Sequence, residues 1–392
     1  MADVIIVGAG PAGSALALGL ARTGCSVVLL DGARFPREKL CGDFLNPRAV
    51  ALLEELSVAG AVRARARLVE RMRVVCGSGV GFTAWYPKGA AGLAIPRSEL
   101  DAVLVAQAAA ARGVEFLEGV RAEDLLFEDG RVCGVYVRLR AGGRTALRAP
   151  ITVGADGRHS VVAHRLGLIH KDRRHRKMAL GARYELAPVE AGTAEVFLAP
   201  RAYAIVNYLA DGTANLSLVA DQQEIAVARG EWHGAWRRLL ARFPDLDRRL
   251  DGALPAGPMR VLGPMAQRAA RAHFPGGLLV GDAAGFYDPF TGEGVCAALE
   301  CARMAAPVIV GALASGGLER LSEYERVRRR ALAGRFRLQR ALQAVIQSQR
   351  AARACVGALA RMPAAAAGLL AWIGDARRAV RAPARESGCC GT

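Results

Sequence analysis

The stretch DVIIVGAGPAG, residues 3–13, places an apolar run directly before three glycines in the pattern G-x-G-x-x-G. Residues 3–7 predict a buried strand, and residues 12–22 predict a helix of small side chains that can pack closely on it. A second apolar run, SVVLL at 26–30, predicts a parallel neighbouring strand that ends at Asp31. Strand, glycine loop, helix and strand in this order indicate the βαβ unit of a dinucleotide-binding α/β domain.

Each glycine of this loop has a physical role in binding a dinucleotide. Gly8 permits the tight turn, Gly10 lets a pyrophosphate approach the backbone, and Gly13 lets the helix lie close to the sheet. The helix N-terminus supplies free N–H groups and a favourable dipole for the phosphates. Asp31 follows Gly13 by 31 − 13 = 18 residues, where a carboxylate can bind a ribose hydroxyl. The predicted contacts with NAD or with the ADP half of FAD are Gly8, Gly10, Pro11, Ala12, Gly13 and Asp31.

The chain is strongly basic, but its charge pattern does not indicate nucleic-acid binding. The formal net charge is +17, and lysine occurs only at positions 39, 88, 171 and 177, so arginine supplies most of the positive charge. No basic patch alternates with aromatic side chains that could stack on bases. The sequence therefore predicts no nucleic-acid partner.

The cysteine spacing and the apolar runs predict neither a metal site nor a membrane span. The nine cysteines include no CxxC pair and no cysteine–histidine cluster, so neither a metal site nor a disulfide framework is predicted. A cytoplasmic protein is expected, since the N-terminal apolar run has no basic leader. No uninterrupted apolar run reaches about 18 residues, so no membrane span is predicted. The basic stretch 324–350 could make a peripheral membrane contact, but packing against the first domain is favoured. The sequence predicts no oligomeric state.

Two further glycine-rich motifs follow, each directly after an apolar run. GADGRHS occupies residues 154–160, and GDAAGFYDPFTGEGV occupies residues 281–295, before an apolar helical stretch. The motif at residues 281–295 has bare backbone where a catalytic loop would carry a histidine, cysteine or lysine. Such a loop brings N–H groups at a helix N-terminus close to a large flat group, where they stabilise negative charge.

The three motifs, in this order, resemble those of the group A flavoprotein monooxygenases (the aromatic hydroxylases) and of the related geranylgeranyl reductases. The resemblance covers residues 1–320 and implies FAD as the cofactor. It implies that Asp282 binds the ribityl or pyrophosphate region, that Pro289 borders the flavin ring, and that amides near Gly292 face the N1/C2=O edge. The cofactor contacts implied in the two later motifs are Asp156, Asp282, Pro289, Gly292, Gly294 and Val295.

The segment PREKLCGDF, residues 36–44, resembles the P-x-x-K-x-C-G segment of the geranylgeranyl reductases, which lies close to the isoalloxazine ring. Many simple aromatic hydroxylases lack this cysteine. The resemblance implies cofactor contacts by Cys41, Gly42 and Phe44, and it makes Cys41 a candidate catalytic residue.

Three residues outside these motifs also match the family. Arg97 sits where the family places an arginine near the phosphate–ribityl stem, and Ala122 sits where a strand backbone meets the adenine. Tyr203 corresponds to the tyrosine of the Tyr-x-Trp-x-Phe-Pro stretch that lines the lipid pocket of the reductases, and it is the second candidate catalytic residue. The tryptophan and the Phe-Pro pair are lost, which argues against a long isoprenoid substrate. The Trp-x-Trp-x-Ile-Pro signature of flavin halogenases is also absent from the sequence.

The predicted fold is α/β, with a discontinuous FAD-binding domain of the glutathione-reductase type and an inserted antiparallel β-sheet domain. The predicted parts are 1–70, 97–165 and 266–320 for FAD, 71–96 and 166–265 for substrate, C-terminal helices at 321–385 and a disordered tail at 386–392. Short strands at 114–121, 131–139 and 146–153 predict a β-meander within the first domain.

The predicted function is that of a FAD-dependent oxidoreductase. The favoured reaction is NAD(P)H-dependent monooxygenation through a flavin C4a-hydroperoxide, which would hydroxylate or epoxidise an apolar small molecule of the secondary-metabolite type. No second nucleotide fingerprint is present, so NAD(P)H would dock transiently. The alternative is a flavin reductase of C=C bonds like the geranylgeranyl reductases, which the Cys41 segment favours. A flavoprotein without catalysis is disfavoured because all three motifs are intact.

Overall fold

The computed structural model describes residues 2–77, 79–171, 176–226, 231–286, 288, 290–376 and 379. Two predictions, the contact of Pro289 with the flavin ring and the disordered tail at 386–392, lie outside these residues. The strands are β1 (Val4–Val7), β2 (Val27–Asp31), β3 (Phe44–Leu45), β4 (Arg67–Val69), β5 (Arg71–Cys76), β6 (Val80–Trp85), β7 (Gly92–Ala94), β8 (Val114–Glu118), β9 (Arg121–Glu128), β10 (Arg131–Arg138), β11 (Arg144–Arg148), β12 (Ile151–Gly154), β13 (Ile169–Lys171), β14 (Lys177–Glu185), β15 (Thr193–Ala199), β16 (Ala202–Tyr208), β17 (Thr213–Asp221), β18 (Arg260–Leu262), β19 (Gln267–Ala269), β20 (His273–Phe274), β21 (Gly277–Leu279) and β22 (Gly285–Phe286). The helices are α1 (Pro11–Ala21), α2 (Pro47–Glu55), α3 (Ala59–Arg63), α4 (Arg97–Ala110), α5 (Val161–Arg165), α6 (Gln222–Ala226), α7 (Trp232–Leu240), α8 (Pro244–Leu250), α9 (Gly294–Ser315), α10 (Ser322–Gln347), α11 (Gln349–Arg361) and α12 (Pro363–Ile373).

A six-stranded sheet with the order β20-β21-β12-β1-β2-β8 carries the glycine motifs. Strands β21, β12, β1, β2 and β8 run parallel, and β20 pairs antiparallel at one edge. The central strand β1 is buried along its whole length, as its apolar sequence VIIV predicts. Helix α1 packs against α4 and α9. The predicted dinucleotide-binding α/β fold is therefore confirmed.

The loop between β1 and α1 depends on two glycines for its close packing. Gly8 has a φ of +103°, and a Cβ atom there would lie 2.6 Å from the Cα of Asp156. A Cβ atom on Gly13 would lie 1.9 Å from the carbonyl oxygen of Gly8. Real Cβ atoms do not approach backbone so closely, so neither position accepts a larger side chain without movement of the chain.

The meander differs from the predicted one in its boundaries. Strands β9, β10 and β11 form it by antiparallel pairing, whereas β8 and β12 belong to the parallel sheet. The assignment of 114–121 and 146–153 as meander strands was wrong to that extent. The reason is physical, since a short apolar run such as ITVG fits a parallel or an antiparallel strand equally well.

A second, seven-stranded sheet has the order β18-β14-β17-β16-β15-β5-β6 and is antiparallel except between β15 and β5. Side chains of β16 alternate between its two faces, as a half-buried strand requires. Ala204, Val206 and Tyr208 pack in the core formed with α7 and α8, whereas Tyr203 and Ile205 face the opposite side. That opposite side is the one that faces the first domain.

The C-terminal part of the chain is helical, as predicted, and it divides into α10, α11 and α12. Helix α9 is long and apolar enough to cross a membrane, but 61% of its most apolar window is buried inside the fold, as in a core helix. Helices α11 and α12 together also have this length and apolarity, and they are bent by 114° at their junction.

We expect Gly13→Ala to lower the free energy of unfolding by about 2 kcal/mol or more, because the added methyl group overpacks a site walled by backbone. Urea unfolding followed by circular dichroism measures this change. Gly60→Ala is the matched control, because Gly60 is an exposed glycine of α3 with no atom within 4 Å of the added methyl. It should be neutral or slightly stabilising. Equal stability of Gly13→Ala and the unchanged protein would contradict the packing argument.

Candidate active site

A cavity of about 930 Å³ lies between the two sheets and is closed on a third side by the C-terminal helices. One end is formed by the glycine loop after β1, the end of β2 and the segment 37–44. The other end is formed by apolar residues of the seven-stranded sheet and of α10, α11 and α12. The lining includes nearly all the predicted cofactor contacts, namely Gly8, Gly10, Pro11, Ala12, Asp31, Cys41, Gly42, Phe44, Arg97, Ala122, Asp156, Asp282, Gly292, Gly294 and Val295. Gly13 lies behind this surface, where it permits the packing of α1.

Asp31 is held at the end of β2 by the backbone of two loops. Its Oδ2 accepts a hydrogen bond from the N–H of Ala9 at 2.9 Å, and its Oδ1 accepts one from the N–H of Ala33 at 2.8 Å. Each carboxylate oxygen retains a second lone pair that a ribose hydroxyl can use. Ala122 lines the same end of the cavity on β9.

Arg37 brings a cation to the glycine loop, and sequence reasoning assigned it no role. Its Nη2 lies 3.6 Å from Asp31 and 3.5 Å from Asp101, and 3.3 Å from where a Cβ atom of Gly10 would be. Its Nε is buried and has no hydrogen-bond partner among the described residues. A guanidinium beside a bare glycine loop matches the charge and shape of a pyrophosphate, so the residues present fit a dinucleotide cofactor.

Asp156 and Asp282 come from the two later motifs and lie on the same wall. The Oδ2 of Asp156 accepts a hydrogen bond from the N–H of Val161 at 2.7 Å, which satisfies the start of α5. Its Oδ1 is buried without a hydrogen-bond partner in the described part of the chain, and burial raises the pKa of this carboxyl. Asp282 interacts electrostatically with two cations, Lys39 and Arg158. Burial lowers the pKa of Lys39, and the nearby charge of Asp282 opposes this shift.

The loop before α9 is fixed from behind by α10. Gln339 of α10 donates hydrogen bonds to Thr291 Oγ1 and to Glu293 Oε2, both at 3.0 Å, and the Thr291 hydroxyl donates to the same carboxylate at 2.8 Å. Gly292 has a φ of +64° and lies against the ring of Phe44, which also lines the cavity. The N-terminus of α9 is thereby held at the cavity wall, where its free N–H groups can stabilise negative charge.

Cys41 and Gly42 are tied to the seven-stranded sheet by two asparagines. The side-chain amide of Asn215 donates to the carbonyl of Cys41 at 2.7 Å, and that of Asn207 donates to the carbonyl of Gly42, also at 2.7 Å. Asn207 and Asn215 face each other on β16 and β17. Sequence reasoning missed both, although an asparagine at an inward position of each apolar strand was the available signal.

The thiol of Cys41 lies beside a buried ion pair. Arg97, at the start of α4, donates through Nε and Nη2 to both carboxylate oxygens of Asp101, each at 2.9 Å. The same guanidinium interacts electrostatically with the Cys41 side chain. Burial raises the pKa of this thiol and outweighs the lowering effect of Arg97, so the thiol is protonated at neutral pH. The geometry leaves Arg97 near the predicted phosphate–ribityl region, but its charge is paired with the carboxylate of Asp101.

Asp43 joins the two domains immediately after the Cys41–Gly42 pair. Its backbone φ is +54°, its Oδ1 accepts a hydrogen bond from the N–H of Arg97 at 3.1 Å, and its Oδ2 lies 3.2 Å from a guanidinium nitrogen of Arg183 on β14. Burial raises the pKa of Asp43 to about 6, even though Arg183 opposes the shift.

Tyr203 faces the cavity side of β16 but does not reach the cavity surface. It is fully buried, its hydroxyl donates to Asp288 Oδ1 at 2.7 Å, and its ring packs edge-on against Phe290 at a centroid distance of 4.9 Å. Asp288 Oδ1 also accepts from the N–H of Phe290 at 2.9 Å. In this arrangement Tyr203 holds Asp288 and Phe290 in place, and its hydroxyl is taken up by the Asp288 carboxylate. The geometry therefore does not support its predicted catalytic contact.

The far end of the cavity is apolar. The sheet contributes Val196, Leu198, Ile205 and Val219, and the C-terminal helices contribute Leu342, Val345, Val356, Leu359, Ala366, Leu369, Leu370 and Ile373. A polar, cationic end and an apolar end therefore share one space. Such a division suits a cofactor at one end and an apolar substrate at the other.

Residues 1–337 match the family described as FAD binding domain, and the chain belongs to this family of FAD-dependent oxidoreductases and monooxygenases. The family, the FAD cofactor and the classification as an enzyme are thereby confirmed.

Individual relatives are similar over most of the chain. A menaquinone reductase of Mycolicibacterium smegmatis is 33% identical over 81% of this chain and 77% of its own length. A digeranylgeranylglycerophospholipid reductase of Methanothermobacter thermautotrophicus is 31% identical over 82% of each chain. The solved structure of the myxobacterial chondrochloren halogenase CndH is 23% identical, covers 94% of this chain and 92% of its own, and gives a TM-score of 0.81. The likeness to CndH shows a shared fold alone.

We expect Asp282→Ala to yield protein with little or no bound flavin, because the change leaves Lys39 and Arg158 without the carboxylate between them and removes a polar contact to the cofactor. The absorbance ratio of flavin to protein in the purified sample measures the occupancy. Glu115→Ala, an exposed carboxylate on β8, is the control and should bind FAD normally. Full flavin content in Asp282→Ala would contradict the assignment.

Asp43 should make stability depend on pH. Its pKa is raised in the folded state from its ordinary 3.8 to about 6, so the folded protein binds more protons than the unfolded chain between these values. The contribution of Asp43 to the free energy of unfolding should therefore fall as the pH rises from about 4 to about 6. Urea unfolding over this range, compared with Asp43→Asn, measures it.

Asn keeps the shape of Asp and tolerates a positive φ, so Asp43→Asn isolates the effect of ionisation. As the pH rises, the free energy of unfolding of Asp43→Asn should increase relative to that of the unchanged protein. A constant difference across the range would show that Asp43 does not titrate there.

Proposed function

We propose that the protein is an FAD-dependent reductase that saturates a C=C bond in an apolar, isoprenoid-type substrate. The two reductases described above support this, since they exceed 30% identity over 81% and 82% of the chain. The observation that carries the proposal is the protonated Cys41 thiol, which lies on the cavity wall beside Arg97.

The chain's own residues can supply the acid for such a reaction. FAD, in its reduced form, is a hydride donor. Cys41 Sγ would give its proton to one carbon of the C=C bond, and the hydride that bound, reduced FAD would supply would add to the other carbon, so that the double bond would become single. Arg97 stabilises the thiolate until water reprotonates it. Asn215 keeps the thiol in place by binding the Cys41 carbonyl.

The apolar end of the cavity supports an apolar substrate. Its walls carry aliphatic side chains from the sheet and from α10, α11 and α12, which exclude water from the reacting bond. The Tyr-x-Trp-x-Phe-Pro stretch of the geranylgeranyl reductases is not kept at 203–208, and the sequence therefore argued against a long isoprenoid. The aliphatic walls contributed by α11 and α12 offset that argument, because they extend the apolar end without these residues.

The electron donor and the location are part of this proposal. NAD(P)H would dock transiently, because the sequence holds one dinucleotide fingerprint and the match to the FAD family uses it. The protein would work from the cytoplasm on a small apolar substrate and would not require nucleic acid.

Monooxygenation of an apolar secondary metabolite is the second candidate. The closure of the apolar end by three helices is compatible with this reaction as well, since it would keep water from the reacting groups. It differs from reduction in consuming oxygen and in adding an oxygen atom to the product.

We expect the holoenzyme, reduced anaerobically with NADPH or with dithionite, to convert a menaquinone into a product that is still heavier by two hydrogens after air has reoxidised the quinol ring to the quinone, as measured by mass spectrometry. Cys41→Ser should keep its flavin and lose about a hundredfold or more in turnover, because a serine hydroxyl is a much weaker acid than the thiol. Cys355→Ser is the control, since Cys355 also lines the cavity but is exposed and lies on α11.

Running the reaction with and without air distinguishes reduction from monooxygenation. A product that forms only in air and gains one oxygen atom would replace the reductase proposal with monooxygenation. Turnover by dithionite but not by NADPH would keep the reductase proposal and reject NAD(P)H as donor. Equal rates for Cys41→Ser and the unchanged enzyme would remove Cys41 as the acid.

A further inference from the structure

The junction of α11 and α12 exposes large apolar side chains to solvent. Met362 at the junction is 57% exposed and Trp372 near the end of α12 is 61% exposed. Met362 connects the two helices of the bent pair, which together are long and apolar enough to cross a membrane, and Trp372 belongs to the second of them. Exposed tryptophan and methionine side chains are costly in water unless another surface covers them.

Trp85 lies at the same edge of the molecule. Helices α11 and α12 both pack on β6, which ends at Trp85. Gly374 is packed so closely on Tyr86 that a Cβ atom on Gly374 would lie 2.8 Å from the tyrosine ring. Trp372 is close to Gly374 in the sequence and Trp85 is next to Tyr86, so this contact brings the two tryptophans to one edge. Trp85 is 50% exposed, and the guanidinium of Arg71 lies 4.2 Å from its ring centroid. We call this group, consisting of Trp85, Met362 and Trp372 with the adjacent Arg71 and Arg361, the elbow surface.

The α11 flank of the elbow surface carries positive charge, whereas Arg71 beside Trp85 is paired with Glu190 at 2.6 Å. Between residues 349 and 376 the sequence contains three arginines (350, 353 and 361) and a single acidic residue, Asp375. Asp375 is paired with Arg335 at 2.9 Å, so it does not balance those arginines. Arg353 and Arg361 are exposed on α11. Long arginine side chains beside exposed tryptophans suit a lipid–water interface, where the ring enters the lipid and the cation stays with the headgroups.

The same helices face the cavity with their other side. Val356 and Leu359 of α11, and Leu370 and Ile373 of α12, line the apolar end. A helix that only closed a cavity in a soluble protein would be apolar toward the cavity and polar toward water. Helix α12, with the sequence PAAAAGLLAWI, is apolar on both sides.

We propose that the elbow surface lies in the interface of an anionic lipid bilayer, and that an apolar substrate passes from the lipid into the cavity between α11 and α12. The positive flank selects anionic headgroups over neutral ones, and Met362 and Trp372 enter the acyl region. The surface differs from the basic stretch 324–350, which the sequence offered as a peripheral contact. The inference does not depend on whether the reaction is reduction or oxygenation.

The holoenzyme should sediment with vesicles of phosphatidylcholine and phosphatidylglycerol in equal parts, and much less with vesicles of phosphatidylcholine alone. The double variant Met362→Gln and Trp372→Gln should lower the partition coefficient about tenfold or more, because two apolar side chains no longer enter the lipid. The double variant Arg353→Gln and Arg361→Gln should lower binding to the anionic vesicles about tenfold and reduce its sensitivity to salt.

Two matched controls locate the effect. Phe127→Gln replaces an exposed aromatic residue of β9, which is 53% exposed and belongs to the meander. Arg326→Gln with Arg330→Gln removes two exposed cations of α10. Both should bind vesicles normally, and flavin content shows that each variant is folded.

Three results would overturn the proposal. The first is the absence of sedimentation with anionic vesicles, and the second is an equal loss in the α10 variant, which would place the contact on 324–350. The third is a change from dimer to monomer in Met362→Gln with Trp372→Gln, measured by analytical ultracentrifugation with vesicle binding unchanged. That result would assign the elbow surface to a second copy of this chain.

Discussion

The buried guanidinium of Arg97 is the constraint around which the two domains meet. A buried charge is unfavourable unless it is paired and hydrogen-bonded. Asp101 supplies the pairing from the same helix, while the Arg97 backbone N–H binds Asp43, whose carboxylate also contacts Arg183 of the second sheet. The chain between Cys41 and Asp43 is therefore fixed from both domains, and the Cys41 thiol takes its place beside the charge.

Polarity divides the cavity along its length. Backbone N–H groups, carboxylates and the cations Arg37 and Lys39 gather at the glycine loop, where an anionic dinucleotide gains most from them. Aliphatic side chains gather at the other end, which the C-terminal helices complete. The boundary between the two ends falls at the Cys41–Gly42 segment, so a group there can act on both cofactor and substrate.

Several features of the fold and site could be predicted from the sequence because they depend on local backbone needs. A helix packed on a strand at Gly13 and a tight turn at Gly8 each require glycine, because an added Cβ atom would collide with nearby backbone. The outer strands of the meander were assigned wrongly, because a short apolar run does not specify its partner strand. Tyr203 was expected at the substrate because of a family likeness, whereas its hydroxyl is taken up by Asp288, 85 residues away.

By itself, the sequence determined the dinucleotide-binding fold class through its glycine spacing, and the resemblance of its three ordered motifs to a known family implied FAD and many of the residues that line the cofactor end of the cavity. Only the tertiary structure decided how Asn207 and Asn215 bind the Cys41–Gly42 carbonyls, contacts that span 165 and 174 residues. It also decided that α11 and α12 face the cavity on one side and solvent on the other. The reason is physical, since such contacts arise from packing between distant segments, and no local pattern of side chains encodes which distant surface an element will meet.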